Sequence, residues 1–464
     1  MGVYRPGLAR LSALMVGLAA CSLSDGGIGP APVPTFLGTT VLPNPHNTIS
    51  AVAEVRAALW DSAFVRFWKD GQLPVRSPSY AFGQDTVVRI PVLGLDTAAA
   101  YTIEVNLVLG DTLVVAADTG DFVSGTLPDW IPHAAAQGSD TTPGYLAISY
   151  PDGPVIVDNS GRVVWYRSSP NGVLNSFQAH ANGQYTALAL DDSTDGFLVL
   201  DELGYAIGAL ECQGYATRFH DLLVLADGSA WLLCDDTRTM DLSALGGVDT
   251  ASVTGTVVQQ LSPAGTVLSE WNVFDHFAIT DLPPNARSGS DVNFTHGNGI
   301  ALDGDGNLLL SFRSLNEITK INATTGEVMW RLGGLRNEFT FVNDPKGTFE
   351  RQHGLRPAGP GQIQVLDNGL RAPSRFARYL LNPVARTALL VVEFIDAPTT
   401  YTLVGGGTQY YGNGHGLVSF GRAGRLVEFD EAGNRAWELT GIDGIYVFRA
   451  QRIASLYAAE RAGR

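Results

Sequence analysis

Four segments of this chain share one layout, and no other feature constrains its fold as tightly. Each opens on a histidine, runs through a short apolar stretch, turns at glycine and runs through a second apolar stretch to a polar residue. The first is His220-Asp221-Leu222-Leu223-Val224-Leu225, a turn at Asp227-Gly228, then Trp231-Leu232-Leu233-Cys234-Asp235. The second runs from His296-Gly297-Asn298-Gly299-Ile300 through a turn at Gly304 to Gly306 and on to Leu308-Leu309-Leu310-Ser311-Phe312-Arg313. The third joins His353-Gly354-Leu355 to Ile363-Gln364-Val365-Leu366-Asp367-Asn368, and the fourth joins His415-Gly416-Leu417-Val418 to Leu426-Val427-Glu428-Phe429-Asp430. Two more strands follow the second repeat, Ile318 to Asn322 and Glu327 to Trp330, with a turn at Thr325-Gly326 between them. Four short strands per unit, repeated with variable loops, are the signature of propeller blades. Two less regular units, around Leu146 to Tyr166 and Gln184 to Gly208, bring the count to about six.

The rest of the chain divides by composition. Arg5 and Arg10 precede a short apolar run, Leu11 to Leu18, which is too short to span a bilayer. Leu18-Ala19-Ala20-Cys21 then reads as a lipobox, so residues 1–21 are expected to be a lipoprotein signal peptide with Cys21 as the lipidated residue. The other reading is an ordinary secretory signal with an incidental cysteine. Residues 22–35 form a Gly/Pro/Ser-rich tether, and Ser22 leans the expected location toward the outer membrane, within a periplasmic or cell-surface lipoprotein. Residues 36–127 carry alternating runs such as Ala63 to Trp68, Thr86 to Val92, Tyr101 to Val105 and Thr112 to Val115, the spacing of a small fibronectin/Ig-like β-sandwich. Residues 128–464 are then the six-bladed β-propeller of an all-β chain. After Cys21, two cysteines remain. In an oxidising compartment Cys212 and Cys234 could form one disulfide, or they could be two buried thiols. The net charge of −16 lacks the basic footprint that general nucleic-acid binding requires. The only expected membrane contact is the lipid anchor, and a homodimer is open.

The first strand of a propeller blade lines the central channel, so a residue just before it stands at one mouth. In that register His220, His296, His353 and His415 ring the axis. Three second strands end on an acid (Asp235, Asp367 and Asp430), whereas the second repeat ends on Arg313, a natural clamp for an oxyanion. Strand alternation points Asn298 the same way as His296. Each histidine could instead tie one blade to the next, and His415, in a Gly-rich stretch, is the most dispensable. An imidazole cluster can also hold a metal, although no two of these histidines have local ligand spacing. His46, His133, His180 and His276 fall outside the repeat and read as structural or surface residues.

Arg218-Phe219-His220-Asp221 resembles the first histidine motif of the bacterial arylsulfate sulfotransferases. Trp271 to His276 with Thr295-His296-Gly297-Asn298 is similar to their His-x-Asn segment. Ser311-Phe312-Arg313-Ser314 through Trp330-Arg331-Leu332-Gly333-Gly334 is similar to their arginine-bearing blade. Arg351-Gln352-His353 with Asp367-Asn368-Gly369 resembles their nucleophile segment, and Tyr446-Val447-Phe448-Arg449-Ala450 a closing motif. The likeness covers most of residues 130 to 455; glycine follows both His296 and His353, where it departs from the family. The resemblance implies transfer of a sulfuryl group from an aryl sulfate ester to a phenol, without a nucleotide donor, metal or organic cofactor. It implies His353 as the nucleophile that becomes sulfohistidine and His220 as general acid and base. Arg313 and Asn298 hold the sulfuryl oxygens, and His296 joins them or steadies the nucleophile. Two readings from other classes stay open: a metal-dependent propeller lyase, and a non-catalytic lipid-anchored binding propeller.

Overall fold

The computed structural model describes residues 33–111, 113–168, 174–189 and 195–461. Cys21, the signal segment 1–21 and most of the tether 22–35 lie outside the described residues. The chain divides into two compact units, Met1–Pro128 and Asp129–Arg464, and both are built of β-strands. Among the described residues the only α-helix is the single turn Ala458–Arg461.

In the first unit, strands Thr35–Pro43, Ala51–Ala58 and Val87–Val92 form one antiparallel sheet. Ser62–Trp68, Ala100–Leu109 and Leu113–Val123 form the body of a second. Ala51–Ala58 and Ser62–Trp68 alternate apolar and polar residues, so each sheet turns one apolar face inward. Val55 and Ile90 from one sheet share a core with Phe67, Ile103 and Leu107 from the other.

The second unit holds six sheets among its described residues, antiparallel but for the short strands Asp291–Asn293 and Thr340–Val342, which pair in parallel. The sheet Gly297–Leu302, Leu308–Phe312, Glu317–Ile321, Val328–Gly333 shows the pattern, with each strand pairing to the next in sequence. Its middle strands are wholly buried because neighbouring sheets cover both faces. Leu309, Ile318 and Leu332 pack against Val365, Ala377 and Tyr379 of the next sheet. Two polar residues on these buried strands survive by pairing: Glu317 with Arg331, and Lys320 with Asp303.

The innermost strands are Leu174–Ala179, Ala216–Val224, Gly297–Leu302, His353–Pro357, Gly407–Tyr410 and Arg449–Ile453. Each touches the next, and the last touches the first, so they form a closed circuit. This is a β-propeller-type fold. Two sheets are completed by strands from far along the chain. Arg449–Ile453 pairs with Tyr145–Tyr150, and Ala135–Gln137 pairs with Arg435–Thr440.

The first three histidine repeats have the expected phase, with His220, His296 and His353 on or at an innermost strand. The fourth does not. Its innermost strand is Gly407–Tyr410, so His415 precedes the second strand, Gly416–Ser419, and Asp430 follows the third, Leu426–Phe429. His415 bonds Glu428 at 3.2 Å and leaves the channel mouth to the others, while Asp430 caps a turn for Asn434. The physical reason is that a glycine turn between apolar runs recurs at every strand junction of a sheet. A histidine before such a run does not fix which junction it occupies.

Cys212 and Cys234 have Cα atoms 6.0 Å apart and sulfurs within bonding distance. Unreduced protein is expected to show one Cys212–Cys234 cross-linked peptide by mass spectrometry. Reduction should lower the unfolding free energy by about 2–4 kcal/mol in denaturant titration, the scale for closing a loop of this length. Two alkylatable thiols in unreduced protein would contradict this.

Candidate active site

Each of the three histidine-bearing inner strands breaks register at its histidine. The irregularities lie between Thr217 and Leu222, Gly297 and Gly299, and His353 and Arg356. Bulges of this kind re-aim side chains and are common beside active sites. His296 and Arg351 also hold left-handed φ values of 51° and 52°, conformations that cost roughly 1 kcal/mol or more for residues with a Cβ. The Arg351 N–H donates to Asn316 Oδ1 at 2.8 Å, and His296 O accepts from the Arg313 N–H at 3.1 Å. The two glycines that depart from the family have steric causes. A Cβ on Gly354 would stand 2.5 Å from Gly407 Cα of the adjacent inner strand, and one on Gly297 would stand 2.7 Å from Thr256.

The three imidazoles converge. His220 and His296 face each other Nε2 to Nε2 at 3.2 Å, and the His220 and His353 ring centres are 6.3 Å apart. Their hydrogen bonds fix the tautomers. The Asn368 Nδ2 donates to the carbonyls of Thr402 and Gly405, so its Oδ1 must face His353. His353 Nδ1–H therefore donates to Asn368 Oδ1 at 2.8 Å and to Arg351 O at 3.0 Å. The lone pair is left on Nε2, approached among the described residues by the Gly405 N–H at 3.3 Å. Asn293 Nδ2 donates to His296 Nδ1, so His296 Nε2–H donates to His220 Nε2. That leaves the proton of His220 on Nδ1, which is buried without a partner. The His220 ring stacks on Phe219 at 4.0 Å.

All three imidazoles are held neutral. Burial, with Arg313 and Arg449 nearby, lowers His353 to about 4 against the opposing pull of Asn368 and the Arg351 carbonyl. Burial, then Arg218, Arg313, His353 and Arg351, lowers His296 to about 2. Burial, then His296 and Arg218, puts His220 well below its ordinary value. Arg218 is matched by Asp235 at 2.7 Å. The Arg313 and Arg351 guanidiniums have no carboxylate partner among the described residues. Burial and the neighbouring Arg351 lower the Arg313 pKa. Tyr446 stands nearby, its hydroxyl pushed up to about 12 by burial and so kept as a donor. A cationic cluster around neutral imidazoles, inside an acidic protein, suits an anion.

An ion network lies next to this cluster. Asp221 is fully buried and accepts from Arg356 and Arg449, each at 2.8 Å. Burial would raise its carboxyl, but Arg356 and Arg449 more than offset this and hold it below the usual range. Arg449 also donates to the His220 carbonyl at 2.9 Å.

Of the residues expected from the sequence, His220, His296, His353 and Arg313 come together. Asn298 is directed elsewhere: its Nδ2 donates to Gln352 O at 2.6 Å, and its Oδ1 is buried without a partner. The bulge at Gly297–Gly299 breaks the alternation that would have aimed it beside His296. Asp235 and Asp367 do not stand free, since Arg218 takes the first and Arg375 and Lys346 the second. His276 stacks on Trp271 and His180 bonds Thr186, both structural contacts. Sequence reasoning missed Asn368, Asn293, Arg351 and Gly405. Asn368 and Arg351 stand inside the motifs flanking His353, but only the pairing of strands shows what they touch.

The arylsulfotransferase (ASST) family model matches residues 210–442, half of the chain, and the chain belongs to that family. Membership supports sulfotransferase activity. No curated protein matches the sequence. Similar solved structures include a protein of unknown function from Bacteroides caccae, 15% identical with a TM-score of 0.43, covering 67% of this chain and 98% of that one. Another is the catalytically inactive virginiamycin B lyase from Staphylococcus aureus with quinupristin, 12% identical with a TM-score of 0.34, covering 84% and 99%. At such TM-scores these likenesses carry no argument about this chain.

Two outcomes are expected at this site. In ¹⁵N NMR, His353 should carry its proton on Nδ1 and titrate at about 4, and a midpoint near the ordinary value of about 6.5 would contradict the burial and cation argument. Asp221→Asn should destabilise the protein by about 3–5 kcal/mol in urea unfolding, because it leaves buried guanidinium charge uncompensated.

Proposed function

We propose that this chain is a nucleotide-independent arylsulfate sulfotransferase that passes a sulfuryl group from an aryl sulfate ester to a phenol through a sulfohistidine on His353. In this reading the six sheets of the second unit are the six blades of a propeller. The first unit is a fibronectin/Ig-like sandwich, and the chain is exported and held by lipid on Cys21. The observation that carries the functional reading is the fixed tautomer of His353. Its Nδ1–H is tied to Asn368 and Arg351 O, which leaves the lone pair on Nε2, within the field of an Arg313 that has no carboxylate partner among the described residues.

Sulfuryl transfer, like phosphoryl transfer, spreads charge over equatorial oxygens and asks the protein mainly for positioning and electrostatics. Attack replaces the long Gly405 N–H contact at Nε2 with an N–S bond as the S–O bond to the aryl group breaks. The electron pair leaves on the phenolate oxygen. Arg313 holds the equatorial oxygens, joined by the Tyr446 hydroxyl. The anionic ester beside His220 favours a second proton on its Nε2, which displaces the His296 Nε2–H contact there, and the phenolate takes that proton. In the second step a new phenol gives its proton back to His220, its oxygen attacks sulfur, and the N–S bond breaks. Dividing one transfer into two is the advantage of a covalent intermediate. Asn298 acts by holding the Gln352 carbonyl beside His353 and so steadies the nucleophile's segment.

The test is release of a coloured phenol from 4-nitrophenyl sulfate with and without a phenol acceptor. Acceptor-dependent release is expected, falling at least about 10³-fold in His353→Asn, the scale on which loss of a nucleophile acts. Arg313→Ala should lower kcat/KM by about 10²-fold or more. With this donor, whose phenolate leaves unprotonated, kcat/KM should hold as pH falls through 6.5 and fail only near 4, where His353 gains a proton. No release from any aryl sulfate, or full release by His353→Asn, would sink the reading.

A further inference from the structure

We infer that the aromatic substrate carries a second anionic group, a carboxylate or a second sulfate, bound by Arg351. This deepens the sulfotransferase reading and rests on it. Positive charge around the imidazoles is left uncompensated. An aryl sulfate brings one negative charge, and Arg313 is enough to match it. Arg351 is held against the site by its carbonyl, 3.0 Å from His353 Nδ1, and its half-buried guanidinium acts electrostatically on both Arg313 and His296. No carboxylate meets it among the described residues. The other cations of the pocket have their own partners: Asp235 matches Arg218, while Arg356 and Arg449 share Asp221 and still leave surplus positive charge.

Two guanidiniums within each other's field repel, and a fold tolerates the arrangement where a ligand supplies the missing charge. The local backbone adds weight. Arg351 keeps its left-handed φ through the bond from its N–H to Asn316 Oδ1, and Asn316 is itself left-handed at 54°. Strain of this kind gathers at ligand-binding sites, where the surrounding structure over-determines it. A guanidinium offers a planar fork of donors that matches a carboxylate or sulfate and gains nothing comparable from an amide or a hydroxyl.

The experiment compares 2-, 3- and 4-carboxyphenyl sulfate, each with its carboxamide, as donors for wild type and Arg351→Gln. The readout is the ratio of kcat/KM for carboxylate over carboxamide, which a purely structural change would not move. For at least one ring position wild type should prefer the carboxylate by about tenfold or more, the worth of a charge-assisted pair. In Arg351→Gln that ratio should fall close to one. Raising ionic strength should shrink it in wild type, a second measure that needs no variant. Turnover of every ester with ratios near one in wild type would overturn this inference alone, as would a ratio unchanged by Arg351→Gln. No turnover of any ester would instead overturn the sulfotransferase reading on which it rests.

Discussion

A single buried carboxylate holds the inner end of the second unit together. Asp221 lies on one inner strand and draws in Arg356 from a second and Arg449 from a third. Removing a carboxylate from water is costly, and here two guanidiniums and the Ile300 N–H replace its hydration. Few side chains can reach across the middle of a ring of sheets. This network therefore does what apolar packing does elsewhere: it fixes how far apart the inner strands stand. It also shapes the chemistry above it, since Arg449 grips the carbonyl of His220 while lending its charge to the field on all three imidazoles.

That field explains a feature that would otherwise look like waste. A site meant for an anion could have used charged histidines. Burial and crowded guanidiniums keep them neutral instead, which preserves a lone pair on His353 and assigns the positive charge to Arg313 and Arg351. The lone pair and the positive charge thereby sit on separate groups. Asn368 completes the division: its Oδ1 accepts from the Nδ1–H of His353, and its own orientation is dictated by two backbone carbonyls.

Much of this was legible in the sequence. Short apolar runs divided by glycine turns announced antiparallel sheets, and three of the four histidine repeats lay on or at innermost strands as their phase implied. What failed shares one cause. Alternation along a strand was used to aim Asn298, and repetition of a turn pattern was used to place His415 and Asp430. Both assume a regular ladder, whereas the inner strands bulge at their histidines and the turn pattern recurs at every strand junction. Asn368, Asn293 and Gly405 were invisible for a related reason. Each acts on a histidine through a contact made by the folded backbone, and nothing in residue type or spacing marks an amide that happens to face an imidazole.

The strand Arg449–Ile453 pairs with Tyr145–Tyr150, some three hundred residues upstream. Contacts of such sequence separation form late and slowly, since the intervening chain must be ordered before they repay its entropy. The same strand delivers Arg449 to Asp221. A partly synthesised chain thus lacks both its closing strand and the cation that steadies His220, and assembly of the ring and maturation of the chemistry become one event. The topology works as an interlock: an unfinished or wrongly closed molecule has no assembled site at all.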